Sequence, residues 1–337
     1  MNPFSHPPVS LLEARRPKVE SVFICEPTTD DSAGFRPARF VMWHNWSNRK
    51  RWLMSLAGLL TLAVLGGACA SCSFLRIPTL PLPAAISKDT KTVRLTGKSV
   101  KVDCYLPPAT GPAPVVIVAH GFSRNRKTMA GWGSLLAQEG FIAVVPDLPF
   151  WSDHAGNGRA LAELLAKVKS GGLDPQAKAA GRAALVGFSA GGLSTLLAAA
   201  RDTNVSCWVG LDPVGMGRQT QQAAALLEIP CFVLRAEPAP WNAHGNAREM
   251  FAALPGPAFS LVVTGATHVD AENPTSRAAE WACGKSDPAR REVFGRYLLA
   301  SLRTGLLADE AALRTLHAAT NDAAVYEVTF QRPEVFR

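Results

Sequence analysis

The stretch Ala183-Ala184-Leu185-Val186-Gly187-Phe188-Ser189-Ala190-Gly191-Gly192-Leu193-Ser194-Thr195-Leu196-Leu197-Ala198-Ala199-Ala200 decides how this chain is read. Ala183 to Val186 is a short apolar run of buried-strand type, and Leu193 to Ala200 is strongly helix-forming. Between them Gly187-Phe188-Ser189-Ala190-Gly191 fits G-x-S-x-G. A strand that turns abruptly into a helix at such a pentapeptide forms a nucleophile elbow. Its glycines permit unusual backbone angles and close packing, and the turn lifts the serine hydroxyl into a cleft. The alternative is a Gly-rich turn that holds an incidental serine, and the strand before and helix after favour the elbow. Ser189 is the candidate nucleophile.

Outward from this point the chain repeats the same alternation. Thr92 to Leu95 and Val100 to Tyr105 predict an antiparallel hairpin at a sheet edge, and Pro114 to Ala119 is a continuous apolar run of central-strand type. Further strands are predicted at Phe141 to Val145, Cys207 to Leu211, Pro230 to Leu234 and Ser260 to Val263, with Ala/Leu-rich helical stretches between them. The pattern predicts an α/β fold, a mostly parallel sheet with helices on both faces, whose site is built from loops at the C-terminal ends of the strands. Pro288 to Leu302 reads as an amphipathic closing helix. Phe330 to Arg337 is either a packed tail or a frayed end.

A serine needs a base, and the base needs an orienting acid. His268 follows the last predicted strand in Gly265-Ala266-Thr267-His268-Val269-Asp270, C-terminal to the serine as the elbow's chain order requires, whereas His244 and His154 follow earlier strands. The acid is Asp212, which closes the strand Cys207 to Leu211, or Glu237, which follows the next one. The shorter Asp is the commoner choice. Upstream, the strand ending at Ala119 runs into His120-Gly121-Phe122, the position of an oxyanion loop. The backbone N–H groups of Phe122 and Ala190 are the natural pair to receive negative charge, with His120 shaping the loop.

These residues resemble one branch of the α/β-hydrolase superfamily, that of chlorophyllase and plasma-type platelet-activating-factor acetylhydrolase. The resemblance is carried by Pro114 to Phe122 with Gly140 to Val145, by Leu211-Asp212-Pro213-Val214, and by Cys283-Gly284-Lys285 with Arg290 to Gly295. Over the first half the chain is also similar to bacterial polyester hydrolases and dienelactone hydrolases. By matching position the resemblance implies a triad of Ser189, Asp212 and His268, and it favours Asp212 over Glu237. The sequence departs from the branch at Phe188, where His is more usual before the nucleophile. Only residues 213 to 229 separate the strand before Asp212 from the next, which leaves little room for a cap domain. Phe122, Phe150, Trp151, Met216 and Trp241 either edge an open cleft or belong to the core.

The N-terminal part carries a different signal. Arg49-Lys50-Arg51 precedes an apolar run from Trp52 to Leu65, followed by small residues through Ala68-Cys69-Ala70. A basic n-region, a short h-region and an A-x-A site predict a secretory signal. The run is shorter than the roughly 20 residues a spanning helix usually needs, although an uncleaved anchor stays an alternative. Initiation at Met42 would give an n-region of ordinary length, so residues 1–41 read as a non-native or disordered extension, 42–70 as signal peptide and 71–337 as the hydrolase domain. A lipidated Cys69 or Cys72 is the lipoprotein alternative. The expected location is therefore secreted or periplasmic, or membrane-anchored.

Composition bounds the rest. At 337 residues, with 47% hydrophobic and 18% charged residues, a substantial core can be buried. The net charge of +8 is spread along the chain with no long basic stripe, so no nucleic-acid partner is expected. The histidines include no H-x-H or H-E-x-x-H pair, and no metal or cofactor is called for. The expected activity is cleavage of a small-molecule or lipid-like ester, hydrophobic or bulky, through an acyl-enzyme on Ser189. A lipase, polyester hydrolase or thioesterase would use the same triad, and a non-catalytic exported binding protein would keep the scaffold alone.

Overall fold

The computed structural model describes residues 76–336 apart from 81, 82, 84, 85, 110 and 175. The expected signal segment, its cleavage site, Cys69 and Cys72 lie outside the described residues. Among the described residues, nine strands form one sheet in the order β1-β2-β4-β3-β5-β6-β7-β8-β9. They are β1 (Ser87–Leu95), β2 (Lys98–Leu106), β3 (Ala113–Ala119), β4 (Ile142–Pro146), β5 (Ala179–Phe188), β6 (Cys207–Leu211), β7 (Cys231–Arg235), β8 (Ala258–Val263) and β9 (Val325–Gln331). From β4 through β8 all neighbours are parallel, while β1, β2 and β9 add antiparallel edges. This is the α/β-hydrolase arrangement expected from the alternation of strand and helix patterns.

The helices are α1 (Ala130–Gln138), α2 (His154–Lys169), α3 (Ala190–Ala199), α4 (Arg218–Ala224), α5 (Ala247–Ala252), α6 (Arg277–Cys283), α7 (Pro288–Leu307) and α8 (Glu310–Ala318). Strand periodicity sorts the core into two layers. Val115 and Ile117 of β3 face Leu161, Leu164 and Leu196 of α2 and α3, whereas Val116 and Val118 face Trp132, Phe294 and Leu298 of α1 and α7. All four β3 side chains are fully buried. A buried residue of this kind contributes roughly 1.5–3 kcal/mol, so the central strands hold the fold and the polar edge strands close it.

The strands predicted from the sequence occur within a few residues of their expected bounds, and the hairpin is longer than expected because β1 begins at Ser87. The closing helix runs to Leu307. The C-terminal segment is packed: β9 pairs with β8, Phe330 lies against Phe259, and Phe336 against Phe232. Between β6 and β7 the chain forms only the short helix α4, so no cap domain is inserted there. Cys104, Cys207, Cys231 and Cys283 are free thiols, the first three buried. Among the described residues no helix is long and apolar enough to cross a membrane.

Candidate active site

The parallel strands β3, β5, β6 and β8 end on the same side of the sheet, and each delivers one part of the site from the loop that follows it. Ser189 follows β5 with φ 53° and ψ −125°, a left-handed conformation that is strained for a residue with a side chain. Strain of this kind costs on the order of 1–3 kcal/mol and persists only where the surroundings enforce it. Here the elbow is tied on both sides. Ser189 N–H donates to Leu211 O at 3.1 Å, and Ser189 O accepts from Gly192 N–H at 2.9 Å and Val214 N–H at 3.1 Å.

The two glycines of the pentapeptide are required by space. A Cβ on Gly187 would lie 2.3 Å from Thr195 Oγ1 and 2.4 Å from Gly191 O, and one on Gly191 would lie 2.3 Å from His120 O. The elbow is thus pressed against the end of β3, which brings Ala190, the first residue of α3, close to the His120-Gly121-Phe122 loop. Its N–H is one of the helix-start donors without an intrahelical partner, and the helix dipole adds partial positive charge there.

Ser189, His268 and Asp212 meet. Ser189 Oγ is 2.9 Å from His268 Nε2, and His268 Nδ1 is 2.6 Å from Asp212 Oδ2. An ionised carboxylate only accepts, so Nδ1 carries the proton and Nε2 is left to accept from the serine hydroxyl. Asp212 is 0% exposed, whereas Ser189 and His268 keep 8% and 5%, which places Ser189 and His268 nearer the surface of the site and Asp212 beneath them. Phe188 stacks obliquely on the imidazole, with ring centres 4.7 Å apart. The residue that departs from the chlorophyllase-like pattern thereby packs the histidine.

Glu237, the other acid that the sequence allows, is directed elsewhere. Its carboxylate accepts from Gly265 N–H at 2.9 Å and from Tyr326 O–H at 2.5 Å, so it braces β9 and the loop after β8 while Asp212 occupies Nδ1. The sequence could not exclude Glu237 because the strand that captures it, β9, was not legible. His244 is exposed. His154 starts α2 and lies 3.5 Å from Ser194 Oγ.

His120 shapes its loop by bridging two strand ends. Its Nε2 accepts from Leu148 N–H at 2.9 Å, which puts the proton on Nδ1, and Nδ1 donates to Gly121 O at 2.9 Å. Burial pushes its pKa below the ordinary histidine value and keeps the ring neutral, as the acceptor role requires.

Two further constructions support the site without any signal in the sequence. Arg124, two residues beyond Phe122, donates from Nε to the buried Glu272, four residues beyond His268, at 2.5 Å. Burial opposes the guanidinium charge, but Glu272, with a smaller share from Cys283, holds the pKa above the ordinary value. The pair fastens the loop after β3 to the histidine loop, and Trp132 Nε1–H to Ala271 O at 2.8 Å ties α1 to that same histidine loop. Asp270, also buried, accepts from Thr267 N–H and Asp287 N–H and lies 2.9 Å from Arg290 Nε, which clamps the His268 turn to the start of α7.

None of the five residues expected either at the cleft or in the core is part of the core. Trp151 and Met216 are 66% and 49% exposed, and Phe122, Phe150 and Trp241 are half-buried. Phe122 and Trp151 form an edge-to-face pair with centroids 4.7 Å apart. A separate groove of about 930 Å³, between α1, α7 and α8, contains none of the three central residues.

Residues 101–254 match the model of the dienelactone hydrolase family. The chain has the α/β-hydrolase fold. The matched region runs from β2 to the end of α5 and includes Ser189 and Asp212, while His268 lies beyond it. No curated protein matches the chain.

Proposed function

We propose that this protein is a serine hydrolase of carboxylic esters that acts through an acyl-enzyme on Ser189. The observation that carries the proposal is the hydrogen-bonded line Ser189 Oγ, His268 Nε2, His268 Nδ1 and Asp212 Oδ2, with the serine held on a strained elbow. In this reading Ser189 Oγ attacks the ester carbonyl and passes its proton to His268 Nε2. Asp212 stabilises the resulting imidazolium. The oxyanion of the tetrahedral intermediate is received by the Phe122 and Ala190 N–H groups, and the departing alcohol takes its proton from His268. Water, deprotonated by the same imidazole, then releases the acid. A lactone is a cyclic ester, so the name of the matched family fits this chemistry.

Hydrophobic or bulky esters are the proposed substrates. Support comes from the Phe122–Trp151 pair, from the exposed Met216 and from the short connection between β6 and β7. Export is proposed on the sequence alone, from the basic cluster, apolar run and A-x-A site, with Ser71 at the mature N-terminus. N-terminal sequencing of the secreted product tests it, and an acylated Cys69 or Cys72 would establish the lipoprotein form instead. For the chemistry, a fluorophosphonate probe should label wild type at Ser189. Ser189→Ala should lose the label and at least about 10³-fold in ester turnover while keeping its fold. A folded Ser189→Ala variant with wild-type turnover would overturn the proposal.

A further inference from the structure

Asn242 lies in the turn after β7 and is 1% exposed, and both ends of its amide are engaged. Its Oδ1 accepts from Ala239 N–H at 2.8 Å and Gly245 N–H at 3.0 Å, two donors that fix which end is oxygen. Its Nδ2 therefore faces Glu237 O at 2.8 Å and the carboxylate of Asp212, 3.1 Å from Oδ2 and 3.4 Å from Oδ1. Ala236 N–H adds a donor to Oδ1 at 3.0 Å. Asp212 thus meets two donors besides the imidazole.

These donors matter because Asp212 is completely buried. A carboxylate removed from water takes up a proton unless hydrogen-bond donors or cations hold its charge. The nearby cation is Arg235 on β7, but its guanidinium is turned to Glu327 at 2.9 Å and Ser260 at 3.1 Å. Arg248 on α5 is exposed, Glu237 is bound to Gly265 and Tyr326, and Asp270 in the histidine turn is paired with Arg290. Holding the charge on Asp212 falls to Ala236 N–H and Asn242.

We propose that Asn242 is a positioning residue of this site, which keeps Asp212 ionised and aimed at His268. The proposal rests on reading Ser189, His268 and Asp212 as the catalytic residues. Asn242 acts through Asp212 and is buried away from the substrate.

Asn242→Asp separates this role from a structural one. An oxygen in place of Oδ1 still accepts from Ala239 and Gly245, while the donor toward Asp212 becomes a second carboxylate oxygen. The added charge lies no farther from His268 Nδ1 than hydrogen bonds of 3.1 and 2.6 Å laid end to end. At an effective dielectric near 20, a unit charge at such a distance displaces a neighbouring titration by about one to two pH units. The experiment is an NMR titration of the full chain with ¹⁵N-labelled histidine, together with the downfield resonance of the His268 Nδ1 proton, and thermal melts establish folding.

In folded Asn242→Asp the imidazole titration should move upward by about one unit or more, or split into two coupled steps as the carboxylates share a proton. The downfield resonance should shift with it. Asn242→Leu removes the donor without adding charge, and should lower kcat by about 10- to 100-fold with KM little changed. A single imidazole titration at the wild-type midpoint with an unmoved downfield proton overturns the proposal, as does wild-type kcat in folded Asn242→Leu. Failure of wild type to react with fluorophosphonate or any ester would instead remove the catalytic reading, and the NMR titration would still decide whether Asn242 governs the Asp212–His268 pair.

Discussion

Gly191→Ala adds one methyl group at the point where the elbow touches the end of β3. The new Cβ would stand 2.3 Å from His120 O and 2.8 Å from Ala119 O, both backbone atoms that no rotamer change can move aside. Ordinary contact requires roughly another 1 Å, and only a relative shift of the α3 start and the β3 end supplies it. Overpacking of this kind costs about 1–3 kcal/mol, which in a domain of this size lowers the thermal midpoint by roughly 2–4 °C per kcal/mol. The same shift moves Ser189 and Ala190 N–H away from Phe122 N–H. A misplacement of about 1 Å costs on the order of 10²-fold in kcat/KM. Gly111→Ala is the matched control, because a Cβ there meets nothing within 4 Å. Melting curves and fluorophosphonate labelling rates of the two variants beside wild type test the reasoning. A Gly191→Ala protein with an unchanged midpoint and unchanged labelling would show that the close approach of elbow and strand is not what demands glycine.

Asp212→Asn should keep the geometry while favouring the wrong imidazole tautomer, lowering kcat by roughly 10³- to 10⁴-fold. Glu237→Gln should leave kcat near wild type, since Glu237 binds Gly265 and Tyr326 instead of His268, and steady-state kinetics with the reverse ranking would reject the assignment. For His120, burial holds the folded-state pKa below the unfolded value of about 6.5, so the unfolded chain takes up the proton first as pH falls. Its contribution to stability is complete above about pH 6.5 and declines as the pH drops below it. Melts between about pH 8 and 5 should show this acid loss, and His120→Asn, though less stable throughout, should show a shallower one.

How much of this was readable in advance follows from the range of the forces involved. The elbow was legible because its determinants are adjacent in sequence: an apolar strand, two glycines and a helix within a single stretch from Ala183 to Ala200. The central strands were legible for a related reason, since burial on both faces demands continuous apolar runs such as Pro114 to Ala119. Chain order alone then placed His268 after the last parallel strand. The C-terminal strand β9 was not legible, because an edge strand with one half-exposed face carries a weak pattern, and its pairing partner β8 lies more than 60 residues upstream. The choice between Asp212 and Glu237 depended on that missing strand, whose Tyr326 holds Glu237 away from the histidine. Asn242, Arg124 and Glu272 left no trace in composition or spacing. Each acts through a hydrogen bond to a residue distant in sequence, and a hydrogen bond depends on distance and direction that exist only once the sheet has brought its loops together.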